Sequence, residues 1–234
     1  MQCSFMVYRF DPPVDNEPRY QEYNIEAEAT DKILDCLNKI RWEQDPTLSY
    51  RYSCAHGICG SDALMINGRI GLACQKLIRD FKTANNFVIE PLPLFKVIKD
   101  LVVDLDPFFK KHRSVRPYLI NDEEAPDKER LQSAENQKSI EPALRCILCA
   151  SCTSACPISR TNEKYLGPAA LLRAFRYIAD SRDTATESRL AQIDSGLVVT
   201  LEALRECWSA LFTISNKQSF QGCLDGCQNC VCLN

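Results

Sequence analysis

No uninterrupted apolar run in this chain approaches the roughly 18 residues that a membrane-spanning helix requires, so nothing in the sequence argues for a bilayer-crossing segment. Excess positive charge is missing too. Lys and Arg number 28 against 31 Asp and Glu, a net charge of −3, which gives no electrostatic argument for nucleic acid or for an anionic membrane surface. The stretch Met1–Met6 has neither the basic nor the apolar region of a secretory leader, so the expected compartment is reducing and a disulfide framework is disfavoured. There is no internal repeat and no low-complexity tract, and no catalytic acid, base or nucleophile declares itself. Cysteine, by contrast, is abundant. Fourteen thiols in 234 residues exceed ordinary core usage, and an apolar fraction of 45% suffices for the cores of one large domain or two ordinary ones.

Four of the cysteines form one tight run. Cys146, Cys149, Cys152 and Cys156 are separated by two, two and three residues, and Pro157 closes the run. This is the bacterial-ferredoxin cluster pattern, in which three thiolates clasp a 4Fe–4S cube and the fourth points away to another cluster. Pro157 ends the loop because it lacks a backbone donor and fixes its own φ. The competing reading is structural zinc, which takes two separated Cys pairs more readily than three cysteines in one run followed by Cys-Pro.

A second cysteine loop lies earlier. Residues 3–10 alternate as a strand, with Phe5 and Val7 on one side and Met6 and Tyr8 on the other. Pro12, Pro13 and Pro18 make a turn, and Tyr23, Ile25 and Ala27 alternate again as a second strand. Thr30 then reads as the N-cap of an amphipathic helix carrying Ile33, Leu34, Leu37 and Ile40 on one face, with Cys36 beside it as a small buried hydrophobe. Strand, strand, helix and cysteine loop is the order of a β-grasp ferredoxin.

The loop presents Cys54, Cys59 and Asp62, with Cys74 twelve residues further on. Plant-type 2Fe–2S spacing has cysteine at all four places, and Asp62 occupies the third. Asp62 either ligates iron, which accepts a carboxylate oxygen, or caps the loop while another cysteine completes the set. Gly57 and Gly60 allow the sharp turns that bring amides towards the sulfurs. His56 reads as a loop residue outside the ligand set. Asn67 and Gly68 between two apolar runs form a hairpin signal, and the hairpin returns Cys74 to the loop. Residues 87–90 read as a further strand closed by Pro91 and Pro93.

From Phe95 to Phe109 the period predicts a helix, with Val97, Ile98, Leu101, Val102 and Leu105 recurring. Residues 121–138 are almost wholly polar and read as an exposed connection. Beyond the cysteine run, Gly167 and Pro168 open a helix whose apolar face carries Leu171, Leu172, Phe175 and Ile178. Shorter helices are expected over Glu187–Ile193 and Leu197–Cys207. The expected class is α+β, with a β-grasp 2Fe–2S ferredoxin domain over 1–105 and an α-helical ferredoxin domain over 106–234.

In combination these motifs resemble the iron–sulfur subunit of succinate dehydrogenase and fumarate reductase. The resemblance is carried by Ser53 to Asp62, Asn67-Gly68, Leu72 to Cys74, Asp100 to Asp104, Cys146 to Pro157, Gly167 to Ala169 and Asp180 to Asp183, and it covers about residues 3–194. It implies a 2Fe–2S cluster on Cys54, Cys59, Asp62 and Cys74. It also implies a 4Fe–4S cluster on Cys146, Cys149 and Cys152, and Cys156 as a ligand of a 3Fe–4S cluster. By the same resemblance, electrons pass between a FAD-containing flavoprotein subunit and quinone in a membrane anchor, with the organic chemistry belonging to the flavin. The chain would lie peripherally on the cytoplasmic face of a bacterial inner membrane, or on the matrix face in a mitochondrion. The alternatives are fumarate reduction in the reverse direction and a stand-alone ferredoxin-like carrier.

The tail departs from the family pattern, which has three further cysteines with five and three residues between them and proline after the last. Here Thr213 and Lys217 stand where the second and third would follow Cys207. One assignment takes Cys207 and Cys223 to the 3Fe–4S cluster and Cys227 to the 4Fe–4S cluster, across a ten-residue insertion. The other holds that the sequence beyond about Asp194 has diverged and no longer completes the clusters. On the quinone side, residues 158–162 lack the tryptophan frequent in relatives, and Trp208 replaces a histidine frequent after the Cys207 equivalent.

Overall fold

The computed structural model describes residues 1–81 and 85–193. The described residues divide into two compact units, one formed by Met1–Leu105 together with Ile147–Ser154, the other by Asp106–Cys146 and the residues from Ala155 to Ile193. Part of the central cysteine run is therefore built into the first unit.

The first unit is a mixed sheet clasping one helix. Strands β1 (Gln2–Arg9), β2 (Arg19–Glu26), β3 (Ala63–Ile66), β4 (Arg69–Leu72) and β5 (Asn86–Glu90) lie in the order β2-β1-β5-β3-β4. Strand β1 pairs antiparallel with β2, Phe5 opposite Tyr23, and parallel with β5, Phe5 opposite Phe87. Alternation puts Cys3, Phe5 and Val7 inside, as the period of two requires. Helix α1 (Ile33–Glu43) crosses this face and buries Ile33, Leu34, Cys36, Leu37 and Ile40 completely. Phe5 stacks on Phe87 with ring centroids 4.8 Å apart. Each such fully buried side chain contributes about 1.5–3 kcal/mol. The helix is capped at Lys32, not at Thr30, because the Asp35 carboxylate accepts from the Lys32 amide and Lys32 is held in a β-bridge with Leu77.

The helix expected over Phe95–Phe109 is not formed. The segment makes a small hairpin, β6 (Val97–Lys99) and β7 (Val102–Val103), and only then helix α2 (Asp106–Ser114). Asp100 turns the hairpin with φ of +46°, and its carboxylate accepts from Arg9 Nε (3.0 Å), the Phe10 amide (3.1 Å) and the Ser49 amide (2.9 Å). Those tertiary bonds, with β-branched residues in both strands, override the helical period.

The second unit contains α2, α3 (Ala134–Leu144), α5 (Pro157–Thr161), α6 (Pro168–Ile178) and α7 (Thr186–Ile193), and has no strand among the described residues. The short helix α4 (Ser151–Ala155) runs across the division between the units. Helix α3 begins inside the polar stretch: Ser133 caps it by accepting from the Asn136 amide, and Ile140 and Ala143 supply its buried side. Pro168 opens α6 as expected, and Leu171, Ala174, Phe175 and Ile178 pack with Val115, Tyr165, Ile193 and Cys156. Arg189 is 1% exposed. It grips Asp183 through Nε and Nη2 at 3.1 and 2.7 Å and donates to the carbonyls of Val115, Arg116 and Tyr118, tying α7 to the chain that follows α2.

Candidate iron–sulfur sites

The first cysteine loop is shaped by residues with positive φ: Ala55 (+57°), Gly57 (+84°) and Gly60 (+67°). Left-handed turns alternating with ordinary ones point successive amides into one concavity, the backbone arrangement that receives anions and many iron–sulfur clusters. Ala55 has no glycine's freedom, and holding it there costs on the order of 1–3 kcal/mol. The amides of Ile58 and Cys59 both donate to Cys54 Sγ at 3.3 Å. Hydrogen bonds from the backbone at His56, then Cys59 and Ile58, hold the Cys54 thiol down to about 6 against its desolvation, which favours the anionic form. Cys59 Sγ lies 3.1 Å from Ser61 Oγ. His56 turns its Nδ1 onto the Cys54 carbonyl at 2.5 Å.

Asp62 and Cys74 form the inner wall. Asp62 is 2% exposed; its Oδ2 accepts from the Cys74 amide at 2.6 Å, while its Oδ1 is buried with no hydrogen-bond partner. A buried carboxylate oxygen with nothing to accept from is costly unless something else occupies it. Burial, then the hydrogen bond to Asp62 and its charge, push the Cys74 thiol up to about 12, and the Gly57 amide opposes this. The charge of Cys54 adds to the rise. Cys54, Cys59, Asp62 and Cys74 thus form one group, a donor set of three sulfurs and a carboxylate suited to iron. Among the described residues, no three His, Cys, Asp or Glu side chains are placed to hold a single metal ion. A binuclear cluster, with ligands distributed over two irons, asks for a wider arrangement than one ion does.

The central run shows the same device. Leu148 (φ +55°) and Ala150 (φ +64°) are both left-handed, flanking Cys149. Cys149 Sγ donates to Ser151 Oγ at 3.3 Å, Cys152 is half-buried, and Cys156 is 2% exposed as the N-cap of α5 with Pro157 in its first turn. Within the second unit, Arg173 donates to the Cys146 carbonyl at 3.1 Å. The cysteines and Asp62 were readable from spacing. Ala55, Leu148 and Ala150 were not, because nothing in an alanine or leucine announces a positive φ. Cys207, Cys223, Cys227 and the helix expected over Leu197–Cys207 lie outside the described residues.

Residues 4–110 match the family described as a 2Fe-2S iron-sulfur cluster binding domain. The chain is 46% identical to the succinate dehydrogenase iron-sulfur subunit of Paracoccus denitrificans over 192 residues, covering 81% of this chain and 73% of that one. It is 41% identical to the corresponding subunit of Coxiella burnetii over 208 residues, 87% of each. The chain belongs to the succinate dehydrogenase iron–sulfur subunit family. A chain of the Mycobacterium smegmatis Sdh1 complex in the apo form superposes with a TM-score of 0.75 at 27% identity, covering 83% of this chain and 82% of that one. As a succinate dehydrogenase iron–sulfur subunit, the chain is an electron-transfer component of an oxidoreductase with a 2Fe–2S ferredoxin domain. Among the described residues no helix is long and apolar enough to cross a membrane.

Proposed function

We propose that this chain relays electrons one at a time from a FAD-containing flavoprotein subunit to quinone at a membrane anchor, through three clusters in line. Cys54, Cys59, Asp62 and Cys74 would hold 2Fe–2S, and Cys146, Cys149, Cys152 and Cys227 would hold 4Fe–4S. Cys156, Cys207 and Cys223 would hold 3Fe–4S, in an α-helical ferredoxin domain. The observation that carries the reading is the repeated backbone device. Both cysteine runs set left-handed residues beside their thiols, Ala55, Gly57 and Gly60 in one and Leu148 and Ala150 in the other. At Ala55, Leu148 and Ala150, which lack glycine's freedom, such strain persists where the surroundings and a function require it.

The clusters, when bound, supply reversible one-electron redox chemistry. The chain's own residues do the rest. Amides of Ile58 and Cys59 meet the Cys54 sulfur and favour its anionic form. Burial of Cys74 and Asp62 keeps water away from the inner ligands, and low polarity with directed hydrogen bonds tunes potential. Asp62, harder than a thiolate, would shift the potential of the first cluster from that of an all-cysteine site.

The complex would be peripheral on the cytoplasmic face of a bacterial inner membrane, or on the matrix face in a mitochondrion, held by its anchor. Low-temperature EPR of the isolated complex, with iron and sulfide counted, tests the proposal. Three distinct cluster signals with nine irons expected, roughly the sum of the three cluster types, support it. Recovery as a soluble, fully clustered monomer that membranes do not retain would overturn it.

A further inference from the structure

The two cysteine runs meet at one residue. A Cβ placed on Gly60 would lie 2.8 Å from Cys149 Cβ, 3.0 Å from the Ile147 carbonyl oxygen and 3.1 Å from Cys149 Cα. Two of those atoms are backbone, so nothing there swings aside. Gly57, in the same loop, differs: the three atoms nearest its Cβ would all belong to the flexible Gln75 side chain. Segment Ile147–Ser154 belongs to the same compact unit as Gly60, and Ser154, fully buried, donates from Oγ to the Pro93 carbonyl at 2.6 Å. A cavity of about 10 Å³ sits beside the contact, lined by Arg51, Ser61, Leu92, Leu105 and Cys149 among others. It has room for one water at most.

We infer that Gly60 is a positioning residue for the relay: by lacking a side chain it brings the first cysteine loop to van der Waals contact with Cys149, and this seam is the route by which an electron leaves the 2Fe–2S site. The inference rests on the functional reading above. Cys54, Cys59, Asp62 and Cys74 would hold the donor cluster and Cys149 would help to hold the acceptor, and the two would supply a one-electron exchange. The donor is oxidised by one electron and the acceptor reduced by one. No bond is made or broken and no proton moves. Seam packing governs the step because a through-space gap is a poorer path than atoms in contact, and a side chain on Gly60 must open such a gap.

The test uses the assembled complex carrying Gly60→Ala, Ser154→Ala or Gly68→Ala. Gly68 has φ of +73° with nothing within 4 Å of an added Cβ, so its variant isolates left-handed strain from loss of contact. Cluster content is counted first. The spin–spin broadening between the two reduced clusters, and the freeze-quenched rate of electron passage between them, are then measured. Gly60→Ala is expected to keep both signals, lose broadening and pass electrons more slowly. Ser154→Ala is expected to shift both readouts in the same direction to a smaller extent, by loosening the same segment from its other end. Gly68→Ala is expected to change neither. Unchanged broadening and rate in both Gly60→Ala and Ser154→Ala would overturn the inference, and should Gly60→Ala fail to load its cluster, Ser154→Ala decides on the same criterion. A native complex lacking either cluster signal would instead bring down the functional reading, together with what rests on it.

Discussion

At the scale of single residues, Asp62 is the most informative position. Its Oδ2 is satisfied by the Cys74 amide and its Oδ1 is buried without a partner. Asp62→Cys is expected to retain the 2Fe–2S cluster and shift its midpoint potential, measured by redox titration of the EPR signal. Asp62→Ala is expected to lose or destabilise the cluster; unaltered cluster content, spectrum and potential in that variant would remove Asp62 from the ligand set. Spacing alone identified Asp62 as standing in a cysteine's place. It left open whether the side chain ligates or caps, because one oxygen can do either and only the structure shows that the capping bond leaves the second oxygen over. The positive φ at Ala55, Leu148 and Ala150 was beyond reach of sequence for a different reason: it is imposed by the surrounding loop, against the residues' own preference.

At the scale of elements, the strands of the first sheet, α1, α6 and α7 were legible from their apolar patterns, although the cap of α1 lies at Lys32 and not at Thr30. The segment 95–109 was not. Its apolar spacing fits a helix, but Asp100 collects an arginine and two amides and turns the chain back as a hairpin. Arg9, 5% exposed, also donates to Tyr23 Oη at 2.6 Å and pairs with Asp45, so one guanidinium joins β1, β2, the loop after α1 and the 97–103 hairpin. Asp100→Ala removes the acceptor for all three donors and leaves Arg9 with Asp45 as its one carboxylate partner, a change that costs about 1–3 kcal/mol. The expected result is a lower denaturation midpoint, with little change in denaturant slope; loss below about 1 kcal/mol would show that water replaces the carboxylate at small cost.

At the scale of the whole molecule, buried ion pairs make stability depend on pH. Burial works to raise the Asp183 carboxyl, but hydrogen bonds from Arg189 and from the amides of Ile120 and Ala185 outweigh it and hold the group below its ordinary value of 3.8. The same balance, with Arg182 as the main partner, lowers Asp180. A depressed carboxyl contributes stability that is complete above the unfolded-state value and is lost as pH falls through the folded one. The second unit is therefore expected to lose stability below about pH 4, and Asp183→Asn to flatten that dependence at the expense of stability at neutral pH. Thermal melts of both proteins from pH 3 to 7 would check it, and parallel curves would refute it. The cluster assignments of the tail are tested by serine replacements. Cys227→Ser should disturb the 4Fe–4S signal and Cys207→Ser and Cys223→Ser the 3Fe–4S signal; if all three leave both signals intact, Cys230 or Cys232 becomes the next candidate.

The first unit is not one stretch of chain: Ile147–Ser154 completes it after an excursion of forty-one residues, Asp106–Cys146, through the second unit. On the ribosome the sheet and its cysteine loop emerge first, and the piece that abuts Gly60 follows only after Ser154 has been made. At about 5–20 residues per second, that is a delay of about 2–10 seconds. During that interval the nascent chain shows the first cysteine loop with one wall missing. A gene cut after Leu105 would make the interval permanent. The moment at which the seam at Gly60 is finished is therefore set by the order of synthesis, and the two cysteine runs cannot be parted by simple truncation.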